Sequence, residues 1–140
     1  MSILLLDASV WLAALDTDDR HHKAARELIE AATDGGTSLA ALDLTLYEVA
    51  NVTVVRWGSR AAADRVVRLV RLACQGTLER IDEELAEQTI RVAIKHDLTA
   101  YDAAYVATAR QRGWTLVSGD LTDLVRPGHA VAPETVEAER

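Results

Sequence analysis

Residues 3–12 have the sequence ILLLDASVWL, and this stretch decides the fold that we predict for the chain. Its first four residues form an unbroken apolar run, which is typical of a strand buried on both faces of a parallel sheet. The run ends at Asp7, so this carboxylate is expected at the carboxyl end of a central strand, where open α/β sheets bind ligands. Ser9 is predicted to cap the helix that follows. A carboxylate beside a core strand is unfavourable unless N–H groups or a cation satisfy it.

The composition is that of a globular protein, with 49% hydrophobic and 26% charged residues in 140. No apolar run approaches the roughly 18 residues of a membrane span, and the N-terminus lacks the basic start of a signal peptide. Cys74 is the only cysteine, so an intrachain disulfide is excluded. We therefore expect a cytoplasmic protein with no membrane partner.

The net charge of −7 is unfavourable for a nucleic-acid binder, because phosphate contacts need Lys and Arg. Two features reduce this objection. Almost all basic residues are Arg, which forms the better fork for phosphate, and acids gathered in one pocket would be neutralised by a divalent cation. A row of arginines is predicted on one helix, where a solvated face is the simpler interpretation and RNA contact the alternative: Arg60, Arg65, Arg68 and Arg71.

Strand and helix patterns alternate along the chain, which predicts an α/β fold with a mainly parallel central sheet flanked by helices. Strands are predicted at 3–6, 38–42, 77–81 and 114–118, with a short extended piece near Val131 closing the edge. Polar residues are predicted to begin three helices: Thr45, Ser59 and Asp82. The helix after Asp82 is expected to bury Ile90 and Ile94. No linker or repeat divides the sequence, so residues 1–140 are predicted to form a single domain.

Four acids occupy related places in this pattern. Asp7 and Asp120 each follow a strand, whereas Glu48 and Asp102 each lie in the first turn of a predicted helix. Strand ends and the following helix starts share one edge of a parallel sheet, so these carboxylates are expected to converge. Clustered carboxylates repel one another unless protons or cations intervene. Hard oxygen ligands favour Mg²⁺ or Mn²⁺ over zinc, and such a cation activates water and stabilises charge on a phosphoryl oxygen.

The acids other than Asp7 also have simpler structural interpretations, which remain open; for Asp7 this interpretation is the weakest, because the residue directly ends an apolar strand. Thr45 with Glu48, and Thr99 with Asp102, fit the spacing of a capping box. Asp120 fits an Asx turn and Asp123 a solvated side chain. For two further sets, structural roles are favoured over metal binding by histidines and base stacking by tryptophans. The histidines His21 and His22 are expected at the surface or at a helix start, and the tryptophans in the core or at an interface: Trp11, Trp57 and Trp114.

Four segments together resemble PIN domains, and most closely the VapC-type toxins of bacterial toxin–antitoxin pairs: residues 6–12 (LDASVWL), Glu48, residues 98–107 (LTAYDAAYVA) and residues 118–120 (SGD). The resemblance spans nearly the whole chain, to Pro133. It implies Mg²⁺-dependent cleavage of RNA at an acidic centre, with these catalytic residues: Asp7, Glu48, Asp102 and Asp120. The metal would be held by Asp7, Asp102 and Asp120.

The resemblance also implies supporting roles and partners. Glu48 would orient or deprotonate the attacking water, and Ser9, Ser118 and Asp123 would support the site. PIN domains often have Thr where Ser118 stands, and their last acid varies between the positions of Asp120 and Asp123, so the fourth acid stays open. The implied activity is that of an endoribonuclease toxin, held by a cognate antitoxin that inserts Arg or Lys into the acidic pocket.

A homodimer is also expected. The helices between residues 45 and 74 carry more apolar surface than one sheet face needs, including Val54, Val55 and Trp57.

Two other functional classes compete with the nuclease interpretation. One is a PIN-like module that binds RNA or a protein partner without cleaving. The other is an aspartyl-phosphate enzyme, which the residues exclude: position 9 is Ser rather than the second Asp such phosphatases need, and no Lys follows a late strand.

Overall fold

The computed structural model describes residues 3–75 and 77–136. Four strands form one sheet in the order β3-β2-β1-β4, and each neighbouring pair is parallel. The strands are β1 (Ile3–Leu6), β2 (Ser38–Leu42), β3 (Leu78–Glu79) and β4 (Thr115–Val117). A parallel bridge from Val117 to Val131 extends the β4 edge. The predicted parallel sheet and its closing edge piece are confirmed, although β3 and β4 are shorter than predicted.

Two helices follow each of the first three strands along the chain. They are α1 (Ala8–Leu15), α2 (His22–Thr33), α3 (Asp43–Asn51), α4 (Arg60–Ala73), α5 (Glu83–His96) and α6 (Ala100–Arg112). π-Helical turns follow α3 and β4 at Val52–Arg56 and Leu121–Val125, and a 3₁₀ turn spans Pro133–Thr135. Within the described ranges, no helix combines the length and apolarity needed to cross a bilayer.

The apolar side chains of β1 point alternately to two hydrophobic cores, one on each face of the sheet. Leu4 and Leu6 pack with Trp11 and with residues of α2, α3 and α4. Leu5 packs on the other face with residues of α6 such as Tyr105. Burial on both faces is what the unbroken apolar run predicted.

Some helices begin at the residues that the sequence predicted, and others do not. Ser59 and Asp82 cap α4 and α5 as predicted, each accepting a backbone N–H of the first turn. Asp7, rather than Ser9, caps α1, because its carboxylate accepts the N–H groups of Ser9 and Val10. Helix α3 begins at Asp43, so the prediction that Thr45 opens this helix is wrong.

The buried face of α5 also differs from the prediction. Ile90 and Ile94 are 57% and 78% exposed, whereas Leu85 and Thr89 are buried. The reason is that α5 packs chiefly against α6 and, among the elements in residues 3–75 and 77–136, covers no other broad surface. A helix with one neighbour buries a narrow stripe, so the remaining apolar residues stay at the surface.

Candidate active site

Asp7 lies at the carboxyl end of β1 and is held by two serine hydroxyls. The hydroxyl of Ser9 donates to Oδ1 at 2.5 Å, and that of Ser118 donates to Oδ2 at 2.5 Å. The same serines fasten the loop that follows β4, because the Gly119 N–H donates to Ser9 Oγ at 2.9 Å and the Asp120 N–H donates to Ser118 Oγ at 3.0 Å. The two serines therefore connect Asp7 to the next acid of the site.

Burial is the main influence on the ionisation of Asp7, because this residue is only 5% exposed. Loss of solvation raises the pKa of Asp7 to about 6, although the hydrogen bonds from Ser118, Ser9 and the Val10 N–H oppose this shift. The negative charge of Asp102 raises this pKa further. A cation beside Asp7 would reverse the effect by favouring the ionised carboxylate.

Asp102 lies in the first turn of α6, where its backbone N–H donates to the Thr99 hydroxyl at 3.1 Å. Its carboxylate faces those of Asp120 and Asp123, and one oxygen from each of the three lies within 4.8 Å of the other two. Burial raises the pKa of Asp102, and the charges of Asp120 and Asp123 raise it further. One hydrogen bond of the predicted capping box is therefore present, since the Thr99 hydroxyl accepts the Asp102 N–H. The Asp102 carboxylate belongs to the acidic group.

Glu48 lies in the interior of α3, so the capping-box interpretation of this residue is wrong. Leu42 occupies the N-cap position, and its N–H donates to Thr45 Oγ1 at 3.2 Å. Thr45 donates in turn to Tyr105 Oη at 2.7 Å, and the Tyr105 hydroxyl donates to Glu48 Oε1 at 2.7 Å. This chain of hydrogen bonds, which ends at Glu48, fixes the orientation of the Glu48 carboxylate.

The Glu48 carboxylate is half-buried, and its pKa is raised. Burial is the main cause, the Tyr105 hydrogen bond opposes it, and the charge of Asp102 raises it further. Tyr105 was not singled out as a site residue from the sequence. It follows Asp102 by three positions on α6, which places the two side chains on one helix face, and this spacing was the available signal.

Asp120 and Asp123 form both a turn and part of the acidic group. Asp120 Oδ1 accepts the Asp123 N–H at 2.9 Å, so Asp120 caps the π-helical turn that follows it rather than forming the predicted Asx turn, whose bond goes to the second residue. The acids named from the sequence therefore meet at one edge of the sheet, with Asp102 influencing both Asp7 and Glu48 electrostatically. The arginine row is exposed on α4. His21 is buried at the N-cap position of α2, so the helix-start alternative holds for it and the surface alternative does not.

The donor set fits a hard divalent cation. Asp102, Asp120 and Asp123 offer carboxylate oxygens at a separation that a single ion can bridge, and these residues are partly or fully open to the solvent that would complete the shell. Asp7 is the most buried of these acids, and each of its carboxylate oxygens already accepts a serine hydroxyl. A carboxylate oxygen carries more than one lone pair, so these bonds leave Asp7 able to bind a cation.

The fold and the site place this protein in the class of α/β proteins with acids gathered at the carboxyl edge of a parallel sheet. A sequence comparison identifies the family. The family model "PIN domain" matches residues 4–127, and the chain belongs to that family. The resemblance inferred from the sequence is thereby confirmed.

Two curated relatives and one solved structure illustrate the similarity. "Exonuclease VapC9" of Pyrobaculum aerophilum is 31% identical over 105 residues, covering 70% of this chain and 74% of the relative. "Ribonuclease VapC3" of the same organism is 31% identical over 128 residues, covering 84% and 88%. A toxin–antitoxin complex from Klebsiella pneumoniae contains a chain with the same fold, at a TM-score of 0.63 and 20% identity, covering 93% and 97%.

Proposed function

We propose that this protein is a Mg²⁺-dependent endoribonuclease that acts in the cytoplasm as the toxin of a toxin–antitoxin pair. The observation that carries the proposal is the approach of the Asp102, Asp120 and Asp123 carboxylates to within 4.8 Å of one another, next to buried Asp7. The relative named as a ribonuclease supports RNA as the substrate. Mn²⁺ would serve in place of Mg²⁺ at an all-oxygen site.

The bound metal would supply an activated water and would stabilise negative charge on a phosphoryl oxygen. Asp7, Asp102 and Asp120 would hold it, with Asp123 as a supporting carboxylate. Glu48 has a raised pKa and a fixed orientation, which suit a group that orients water or accepts its proton. Attack by water would leave a 3′-hydroxyl and a 5′-phosphate.

The test uses circular RNA, which only an endonuclease opens, together with a linear RNA labelled at one end. We expect Mg²⁺ to support cleavage of both, EDTA to stop it, and Mn²⁺ to restore it. Cleavage of linear RNA alone would indicate an exonuclease, as one relative is named. RNA binding without cleavage at any Mg²⁺ concentration would overturn the proposal in favour of a non-catalytic PIN-like module.

We also propose a cognate antitoxin that inserts Arg or Lys into the acidic centre. Repulsion among the carboxylates favours any cation that enters, and a side-chain cation competes there with the metal. The toxin–antitoxin complex of the same fold supports this class of partner.

A homodimer is proposed through the apolar surface of α3, α4 and the π-helical turn between them, where large apolar side chains are exposed: Tyr47, Val54, Val55, Trp57 and Leu72. A two-fold interface over this surface would remove it from water. We expect sedimentation to give a dimer at tens of micromolar concentration, roughly where a moderate interface is populated. Val55→Glu should yield monomers.

Ile94→Glu is the matched control for Val55→Glu. Ile94 is 78% exposed and Val55 is 70% exposed, but Ile94 lies on α5, outside the proposed interface. It should leave the dimer intact. A wild-type monomer, or equal dissociation by both variants, would contradict the proposed interface.

A further inference from the structure

His21 is a buried histidine that the proposed mechanism does not use. It is only 6% exposed, and its Nδ1 lies 2.5 Å from Glu134 Oε1 in the 3₁₀ turn near the end of the described chain. A carboxylate accepts hydrogen bonds, so Nδ1 of His21 carries the proton of this bond. The bond fixes the orientation of the imidazole ring. On the other side of the ring, Nε2 is buried and has no hydrogen-bond partner among the described residues.

The free side of the ring lies against the turn that carries Asp120. A Cβ placed on Gly119 would lie 3.0 Å from His21 Cδ2, 3.5 Å from His21 Nε2 and 3.3 Å from Ser9 Oγ. The backbone of Gly119 is not in the left-handed region, so glycine is needed there for space rather than for conformation. The imidazole and the Ser9 hydroxyl thus occupy the room that a side chain at 119 would take.

Two contacts connect this packing to the acids. The Gly119 N–H donates to Ser9 Oγ, and the Ser9 hydroxyl donates to Asp7. Asp120 follows Gly119 directly, so a shift of the turn would move it relative to Asp102. We propose that the Glu134–His21 pair is a positioning element for the acidic centre, which fixes the 118–120 turn at the separation that a divalent cation requires. The metal-dependent part of this inference rests on the proposed function.

The first test measures Mn²⁺ affinity from the electron paramagnetic resonance signal of the free ion. His21→Ala and Glu134→Ala should each weaken binding by about tenfold, the lower end for losing a group that orients metal ligands. Glu134→Gln keeps an acceptor for Nδ1 and should lose less. His22→Ala is the matched control, because His22 Nδ1 bonds the Ala13 carbonyl instead of the site, and it should bind Mn²⁺ like the wild type.

The second test needs no metal. With EDTA present, amide hydrogen exchange at Gly119 and Asp120 should quicken in His21→Ala and Glu134→Ala but not in His22→Ala. Gly119→Ala should weaken Mn²⁺ binding, and adding His21→Ala should cost less than the sum of the two losses, because the ring no longer obstructs the new methyl group.

The outcomes separate this inference from the proposed function. Wild-type affinity and wild-type exchange in His21→Ala and Glu134→Ala would overturn the inference while leaving the nuclease intact. A general loss of thermal stability with unchanged Mn²⁺ affinity would overturn it as well, since the pair would then be structural only. A wild-type protein that binds no Mn²⁺ would overturn the metal site, while the exchange experiment would still decide whether the pair positions the turn.

Discussion

Asp7→Asn and Asp102→Asn are each expected to reduce RNA cleavage by on the order of a thousandfold, because each removes a charge from the group that would hold the metal. The chain should stay folded, since Asn at position 7 keeps one oxygen that accepts hydrogen bonds, and Asp102 bonds Thr99 through its backbone N–H, which the substitution does not change. The measurement is single-turnover cleavage at saturating Mg²⁺. Asp64→Asn is the matched control: this acid is exposed on α4, away from the acidic centre, and its loss should leave the rate unchanged.

The same Asp7 variant should be more stable than the wild type at neutral pH without metal. The pKa of Asp7 is raised from 3.8 to about 6, so the folded state binds its proton more tightly than the unfolded chain does. Wild-type stability therefore falls as pH rises from about 4 through 6, by on the order of 3 kcal/mol. Asn carries no charge, so Asp7→Asn should match the wild type below pH 4 and exceed it above pH 6.

Urea denaturation in EDTA between pH 4 and pH 8 measures this difference directly. The stabilisation of Asp7→Asn should appear only across the upper part of that range. Loss of the fold in both Asp7→Asn and Asp102→Asn at every pH would instead show that the two carboxylates are required for the fold itself, and the predicted gain in stability would be wrong.

Local patterns in the sequence were sufficient to predict the parallel sheet. The run of residues 3–6 specifies burial on both faces whichever elements cover them, so β1 and its neighbours could be predicted without knowing the helix packing. The face of α5 could not be predicted, because Ile90 and Ile94 satisfy helical periodicity but the position of α6 decides which stripe is buried. The start of α3 was missed because Leu42 has no capping side chain.

The acids were predictable for a topological reason, and their partners were not. Parallel strands and the helices that follow them bring strand-end acids to one edge in any such sheet. Tyr105 reaches Glu48 across 57 positions of sequence, and His21 reaches Glu134 across 113. No local pattern specifies contacts of that range, since they depend on how α3, α6 and the 3₁₀ turn are placed in the folded chain.

Glu48→Gln is expected to lower the cleavage rate by on the order of a hundredfold or more, the usual loss for a positioned base or charge. Gln retains an oxygen that can accept the Tyr105 hydroxyl, so the side chain should keep its place while losing its charge. Stability should be normal or slightly higher without metal, because the raised pKa of Glu48 shows that burial disfavours the charged form. Rates at saturating Mg²⁺ and melting curves in EDTA measure the two effects.

Two variants complete the experiment. Tyr105→Phe keeps the buried ring and the Glu48 charge but removes the hydrogen bond that orients the carboxylate. A loss of about tenfold is expected, smaller than that of Glu48→Gln, because orientation rather than charge is removed. Glu87→Gln, at an exposed position on α5, should have no effect. If Glu48→Gln cleaves RNA at the wild-type rate, Glu48 has no role in the chemistry, and the acidic centre consists of the four aspartates alone: Asp7, Asp102, Asp120 and Asp123.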